Sequence, residues 1–158
     1  MSFKRRTYPI LKRREGQLNY SSQGGQANAA YLYPLYLRAP TPIVGIEAVA
    51  RAAGNFQVGI YRWTSFGQTT AEALYRSPIL AATGVEVLED PIDHWMTAGY
   101  TWLALALDTV NTMGIATPRG LDGDYAKFCA ASYPLPATIT ITGGGVFIPA
   151  ICVVTAEN

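Results

Sequence analysis

The chain contains one histidine, His94, within DPIDHWMTAG. A histidine-dependent triad or a histidine-anchored metal site would have to be built on it, with partners brought in from elsewhere. Asp90 and Asp93 lie close in sequence, but no serine or cysteine stands in a G-x-S-x-G context that would expose a nucleophile. A solvated histidine in a turn is the expectation. Glycoside hydrolysis needs two carboxyl groups facing each other across the scissile bond. Glu86, Glu89, Asp90, Asp93, Asp122 and Asp124 could supply them, but spacing selects no pair, and the first four flank an expected strand end. GLDGDYAK sets Asp122 and Asp124 across a glycine, which would suit two oxygen ligands of a calcium ion. The third oxygen position and the distal glutamate of an EF-hand loop do not follow, so a plain loop is expected. TGGGVF lacks the Lys-Ser/Thr of a phosphate-binding loop, and Gly143 to Gly145 read as a hairpin turn.

Binding offers more than catalysis. YRWTSFG carries Tyr61, Trp63 and Phe66 from a strand end into a loop, where exposed rings could stack on sugars. Packing in a core or an interface explains the same residues. Lys4, Arg5, Arg6, Lys12, Arg13 and Arg14 supply six of the twelve basic residues, with no carboxylate among the first fourteen positions. The remainder holds six basic and eleven acidic residues. A basic leader therefore precedes a mildly acidic body. Phosphates could attract it. No nucleic-acid-binding motif accompanies it, and the acidic body opposes a larger footprint, so an acidic protein surface suits it better. No catalytic residue, metal or cofactor is expected.

The elements that would position these residues are strands. With 158 residues the chain fits one domain, or one domain plus an arm, and needs neither disulfide nor metal to hold a core. The charged fraction of 15% is low, which fits either a partly covered surface or a β-rich exterior of Thr, Ser and Gly. Cys129 and Cys152 lie beside small or apolar residues and read as buried free thiols. No signal peptide and no apolar run of about 18 residues is found, which predicts a soluble protein with no membrane contact, assembled in a reducing cytoplasm.

Residues 1–28 read as an extended arm and linker, with Pro9 opposing a continuous helix and SSQGGQANAA forming a flexible stretch. Residues 29–158 read as the body. AYLYPLYLRAP suggests an edge strand, or two short strands bent at Pro34. TPIVGIEAVARA places Val44, Ile46 and Ala48 on one face, and AAGN is expected to close a hairpin onto FQVGIYRW, with Phe56, Val58 and Ile60 inward. AEALYRS, Ala71 to Ser77, has room for a helical turn or two. TGVEVLED turns Val85 and Val87 inward against Glu86, and WLALAL, with no polar face, is expected to be covered on both sides. ATITIT aligns Ile139 with Ile141, and VFIPAICVV forms a last strand broken at Pro149. Short strands without intervening helices exclude a parallel sheet. The predicted fold is all-β, an antiparallel β-sandwich of jelly-roll type.

The order IVGIEAV, AAGNFQVGIYRW, SPILAATGVEVLED, AGYTWLALALD resembles a domain recurrent in virion proteins of tailed bacteriophages. Its elements here are Gly59-Ile60-Tyr61, Gly84-Val85 and Tyr100-Thr101-Trp102-Leu103-Ala104, over about residues 43–108. The family pattern more usually sets the tyrosine directly before the tryptophan, and Thr101 departs from it. The resemblance implies a jelly-roll module of a capsid decoration, cement or tail-fibre protein, commonly trimeric. On that footing the partners are other virion proteins, capsid or tail subunits, met by the six basic residues of the arm. The place of action is the virion. Self-association is expected through apolar faces near Tyr31, Tyr33, Tyr36 and residues 146–153. The alternative is a receptor-binding module that takes host glycans on Tyr61, Trp63 and Phe66.

Overall fold

The computed structural model of the chain describes the backbone of residues 3–7, 22–63, 69–116, 126–144 and 148–157. Among the described residues there are fifteen strands and no helix, hence none long and apolar enough to cross a membrane. One sheet runs β1 (Phe3–Thr7), β15 (Ile151–Glu157), β4 (Thr41–Ala50), β10 (Met113–Ala116), β14 (Ile148–Pro149). In it β2 (Ser22–Gly24) joins β10, and β8 (Glu86–Met96) joins β4. The other runs β12 (Thr138–Thr140), β6 (Thr70–Arg76), β5 (Gly54–Trp63), β9 (Gly99–Leu107), β3 (Ala29–Leu37), β11 (Lys127–Cys129), β13 (Gly143–Gly144). There β7 (Leu80–Ala82) joins β5. We call them the first and second sheets. The fold is an all-β antiparallel sandwich, as the strand pattern predicts.

The core lies between the sheets. Phe56, Val58 and Ile60 of β5 and Leu103, Leu105 and Leu107 of β9 meet Ile43, Ile46 and Ala48 of β4, and Ile151 and Val153 of β15. A second apolar layer lies on the far side of the second sheet. Ala30 and Leu32 of β3, Tyr61 of β5 and Trp102, Ala104 and Ala106 of β9 pack there against Cys129, Leu135 and Ile139. This layer explains WLALAL. Odd residues of β9 face one core and even residues the other, and burial on both faces selects an uninterrupted apolar run. Trp102 and Phe56 are core aromatics, as expected, but of different layers.

The covering segment after β11 is tied down by hydrogen bonds from its backbone. The Ser132 N–H donates to Asn28 O, the Ala73 N–H to Ala137 O, and the Ile141 N–H to Thr69 O, all within 3.0 Å. Gln57, buried on β5, donates through Nε2 to Ser77 O at 2.7 Å and accepts the Leu135 N–H at 2.6 Å. A neutral side chain with one donor end and one acceptor end suits the place, since each buried polar group needs a partner.

Several local expectations are corrected. Residues 51–53 do not close a hairpin: β4 lies in the first sheet and β5 in the second, so the connection crosses the sandwich. Residues 70–76 form strand β6 and no helical turn, because pairing with β5 satisfies their backbone. β3 is one nine-residue strand, and among the described residues Pro34 is paired with β9 alone, the pairing with β11 ending at Leu32. Val44 is skipped in the pairing of β4 with β8, so Ile43 rather than Val44 joins the core. Gly143 and Gly144 form the short strand β13 against β11 instead of a turn, and Gly145 lies outside the described residues. Val85 and Val87 point outward, 65% and 56% exposed, while Leu88 and Asp90 are buried.

Candidate functional site

The single histidine lies within strand β8, half-buried, and not in a turn. Its ring centroid stands 6.3 Å from that of Tyr75 on β6, whose hydroxyl donates to Asp90 Oδ2 on β8. Tyr75, Asp90 and His94 therefore meet between the two sheets. Burial, and then the hydrogen bond to Asp90 and its charge, push the Tyr75 phenol well above its ordinary range. A phenol so raised keeps its proton at neutral pH and serves as a donor. The group is a polar tie between sheets.

The carboxylates of the sequence scan fall along β8 rather than at a strand end. Asp90 is buried, Glu86 half-buried, and Glu89 and Asp93 exposed. Glu86 Oε1 accepts the Thr83 N–H at 2.7 Å. Asp122 and Asp124 lie outside the described residues. Among the described residues no three His, Cys, Asp or Glu side chains are grouped to hold a metal. Glu47 was not singled out by sequence, yet it is 6% exposed on β4, where the Cys152 thiol donates to its Oε2 at 3.9 Å. Its only sequence signal is its position between Ile46 and Ala48. Cys129 and Cys152 are buried thiols outside any disulfide, as expected.

Of the proposed sugar-stacking residues, Tyr61 is corrected outright. It is wholly buried, and its hydroxyl donates to Pro136 O. The covering segment occupies the face a sugar would need. The Trp63 side chain and all of Phe66 lie outside the described residues. The aromatic surface is elsewhere. Tyr36 on β3 and Tyr100 on β9 are cross-strand partners, 43% and 66% exposed, with ring centroids 4.9 Å apart at 44°. Trp95, near the end of β8, is 66% exposed.

The apolar faces expected to join copies are also reassigned. Tyr31 and Tyr33 are buried at 2% and 1%, and residues 148–153 are buried throughout. These residues are internal, because each lies on a strand with apolar neighbours on the core side, whereas Tyr36, the third tyrosine of that stretch, is exposed. Val146 and Phe147 lie outside the described residues.

The margins of the first sheet carry opposite charge. Strand β1, with Lys4, Arg5 and Arg6, lies along β15, Arg6 opposite Val154 and Lys4 opposite Ala156. Strand β8, with Glu86, Glu89, Asp90 and Asp93, lies along β4 on the opposite side. Among the described residues each has a single paired neighbour. Lys12, Arg13 and Arg14 lie outside the described residues. Comparison with protein-family models, curated proteins and solved structures finds no match.

Proposed function

We propose that the chain is a structural protein of a tailed-bacteriophage virion. It decorates or cements the capsid, held by its basic N-terminal segment and by self-association, as a homotrimer of jelly-roll type. The observation that supports this most is the placement of Lys4-Arg5-Arg6 on a marginal strand of a sandwich. Three basic residues are thereby placed along one strand at the margin of the first sheet. Lys12, Arg13 and Arg14 extend the same basic segment. Of the residues that carry the resemblance, Gly59, Ile60 and Tyr61 in β5 and Thr101 to Ala104 in β9 have packing roles, while Val85 and Tyr100 are exposed. At Gly59 a Cβ would come within 2.9 Å of Tyr75 O, so that motif glycine serves close packing. Work of this kind is positional, not catalytic.

Deleting residues 1–16 tests the reading. Full-length protein should co-purify with intact particles, and the deletion should not, while its circular dichroism remains that of a β protein. Full retention of the deletion on particles would overturn the anchoring role.

One observation favours a second reading, a module that recognises host glycans. Tyr36 and Tyr100 present adjacent exposed rings, the geometry on which sugars stack. A glycan array that gives binding abolished by Tyr100→Ala would select it.

A further inference from the structure

The apolar cover on the outer face of the second sheet stops short of one end of β3 and β9. Pro34 and Trp102, cross-strand partners, are buried, whereas the next pair on the same face, Tyr36 and Tyr100, is exposed. The two tyrosine rings stand 4.9 Å apart. Leu35 and Leu37 point into the core on either side of Tyr36, and exposed Arg38 continues that alternation on the tyrosine side. Arg38 makes no ion pair or hydrogen bond among the described residues. We infer that Tyr36, Tyr100 and Arg38 form a binding site for an acidic sugar, a pyranose of the hexuronic type that carries a carboxylate. This rests on the glycan reading above and names the class of sugar it takes.

Each part of such a ligand has a counterpart here. Tyrosine presents an apolar ring with a polar tip, so the C–H face of a pyranose lies on the ring while the phenol bonds its hydroxyls. The guanidinium offers paired N–H donors in the geometry of a carboxylate. The residues bordering the rings, Ala39, Thr97 and Ala98, are small and exposed. Gly99, with φ of 108°, has open space within 4 Å of where a Cβ would stand. Size favours a sugar over a protein, because two rings and one arginine fall far short of the roughly 800 Å² per partner of a standard protein interface. Trp95 is as exposed as Tyr100 but stands apart. It alternates with Met96, which lies in the core, and so faces outward from the first sheet, while the tyrosines face outward from the second.

Amide-detected NMR titration of the full chain tests this. The probes are the methyl glycosides of glucuronic and galacturonic acid, with methyl glucoside and methyl galactoside as their neutral counterparts. At least one acid should bind with a Kd of about 1 mM, the affinity expected of so small a ligand. The shifts should centre on Tyr36, Arg38, Gly99 and Tyr100. The acid should bind about threefold tighter than its neutral counterpart, and this preference should shrink in high salt. Tyr100→Ala, and independently Tyr36→Ala, should weaken both more than about fivefold while the amide spectrum elsewhere stays native. Arg38→Gln should abolish the preference and keep the neutral binding, and Trp95→Ala should match wild type. Equal affinity for acid and neutral sugars, or a preference that survives Arg38→Gln, would overturn the acidic site and leave the glycan reading standing. No binding of any of the four at up to about 50 mM sugar, or binding unchanged by Tyr100→Ala, would overturn both. Shifts at Tyr36 and Tyr100 that follow protein concentration without sugar would assign the rings to a contact between copies, and would likewise overturn the site.

Discussion

The Tyr61 hydroxyl donates to the Pro136 carbonyl at 2.5 Å, joining the end of β5 to a segment 75 residues away. That contact clasps the covering segment to the outer face of the second sheet, and it makes Tyr61 an internal residue. Removing only the hydroxyl leaves the carbonyl of a half-buried proline short of a donor. Tyr61→Phe should lower stability by about 1 kcal/mol, and Tyr61→Ala, which also empties the ring's place, by about 3–5 kcal/mol. Urea unfolding midpoints measure both. Equal midpoints for wild type and Tyr61→Ala would mean that the covering segment does not depend on this clasp.

Gln57 holds the same segment from the middle of β5. Replacement by leucine keeps the volume but deprives Ser77 O of a donor and the Leu135 N–H of an acceptor. Each orphaned buried group costs about 1–3 kcal/mol. Gln57→Leu should therefore destabilise more than Tyr61→Phe, and amide exchange at Leu135 should accelerate at least tenfold relative to wild type. Unchanged exchange there would contradict the assignment.

Burial pushes the Cys129 thiol up to about 12, so the thiolate that reacts with disulfide reagents is scarce at neutral pH. In a Cys152→Ala background, Cys129 should resist Ellman's reagent in the native state and titrate as one thiol in denaturant. Rapid native labelling would contradict its place in the second apolar layer.

Asp108 gives a pH dependence. Burial acts to raise its carboxyl, but donation from the Asn55 N–H, the Thr109 hydroxyl and the Asn55 side chain outweighs this and lowers it. A carboxyl depressed in the folded state contributes stability in full above its unfolded value of about 3.9. That contribution is lost as pH falls through the folded value. Asp108→Asn should therefore be less stable than wild type at pH 7, with the difference shrinking below about pH 4. Urea midpoints taken from pH 7 to 2.5 check this, and a difference independent of pH would contradict it.

The sheet-forming character of the chain was legible because strands advertise burial directly. β9 is apolar at every position from Trp102 to Leu107, and burial on both faces is the physical cause. Phase was less legible. Around Val85 and Val87 the alternation defines two faces but not which one is inside, and the acidic face of β8 proved to be the inner one at Asp90. The link between β4 and β5 has the length of a hairpin, and only knowledge of each strand's partner shows that it crosses between sheets. Tyr61 reads equally as a stacking platform or a core residue, because what covers it is remote in sequence. The opposed charges of β1 and β8 are visible as composition, but their placement on two margins of one sheet depends on the order in which β15 and β4 lie between them.

Electron cryo-microscopy of the intact particle would decide most directly whether the chain works by being held in place. The expected map shows copies of this sandwich on the outer surface of the particle, grouped around a symmetry axis, with the N-terminal segment of each against a neighbouring subunit. Purified particles whose maps and mass spectra contain no copy of the chain would contradict the structural role.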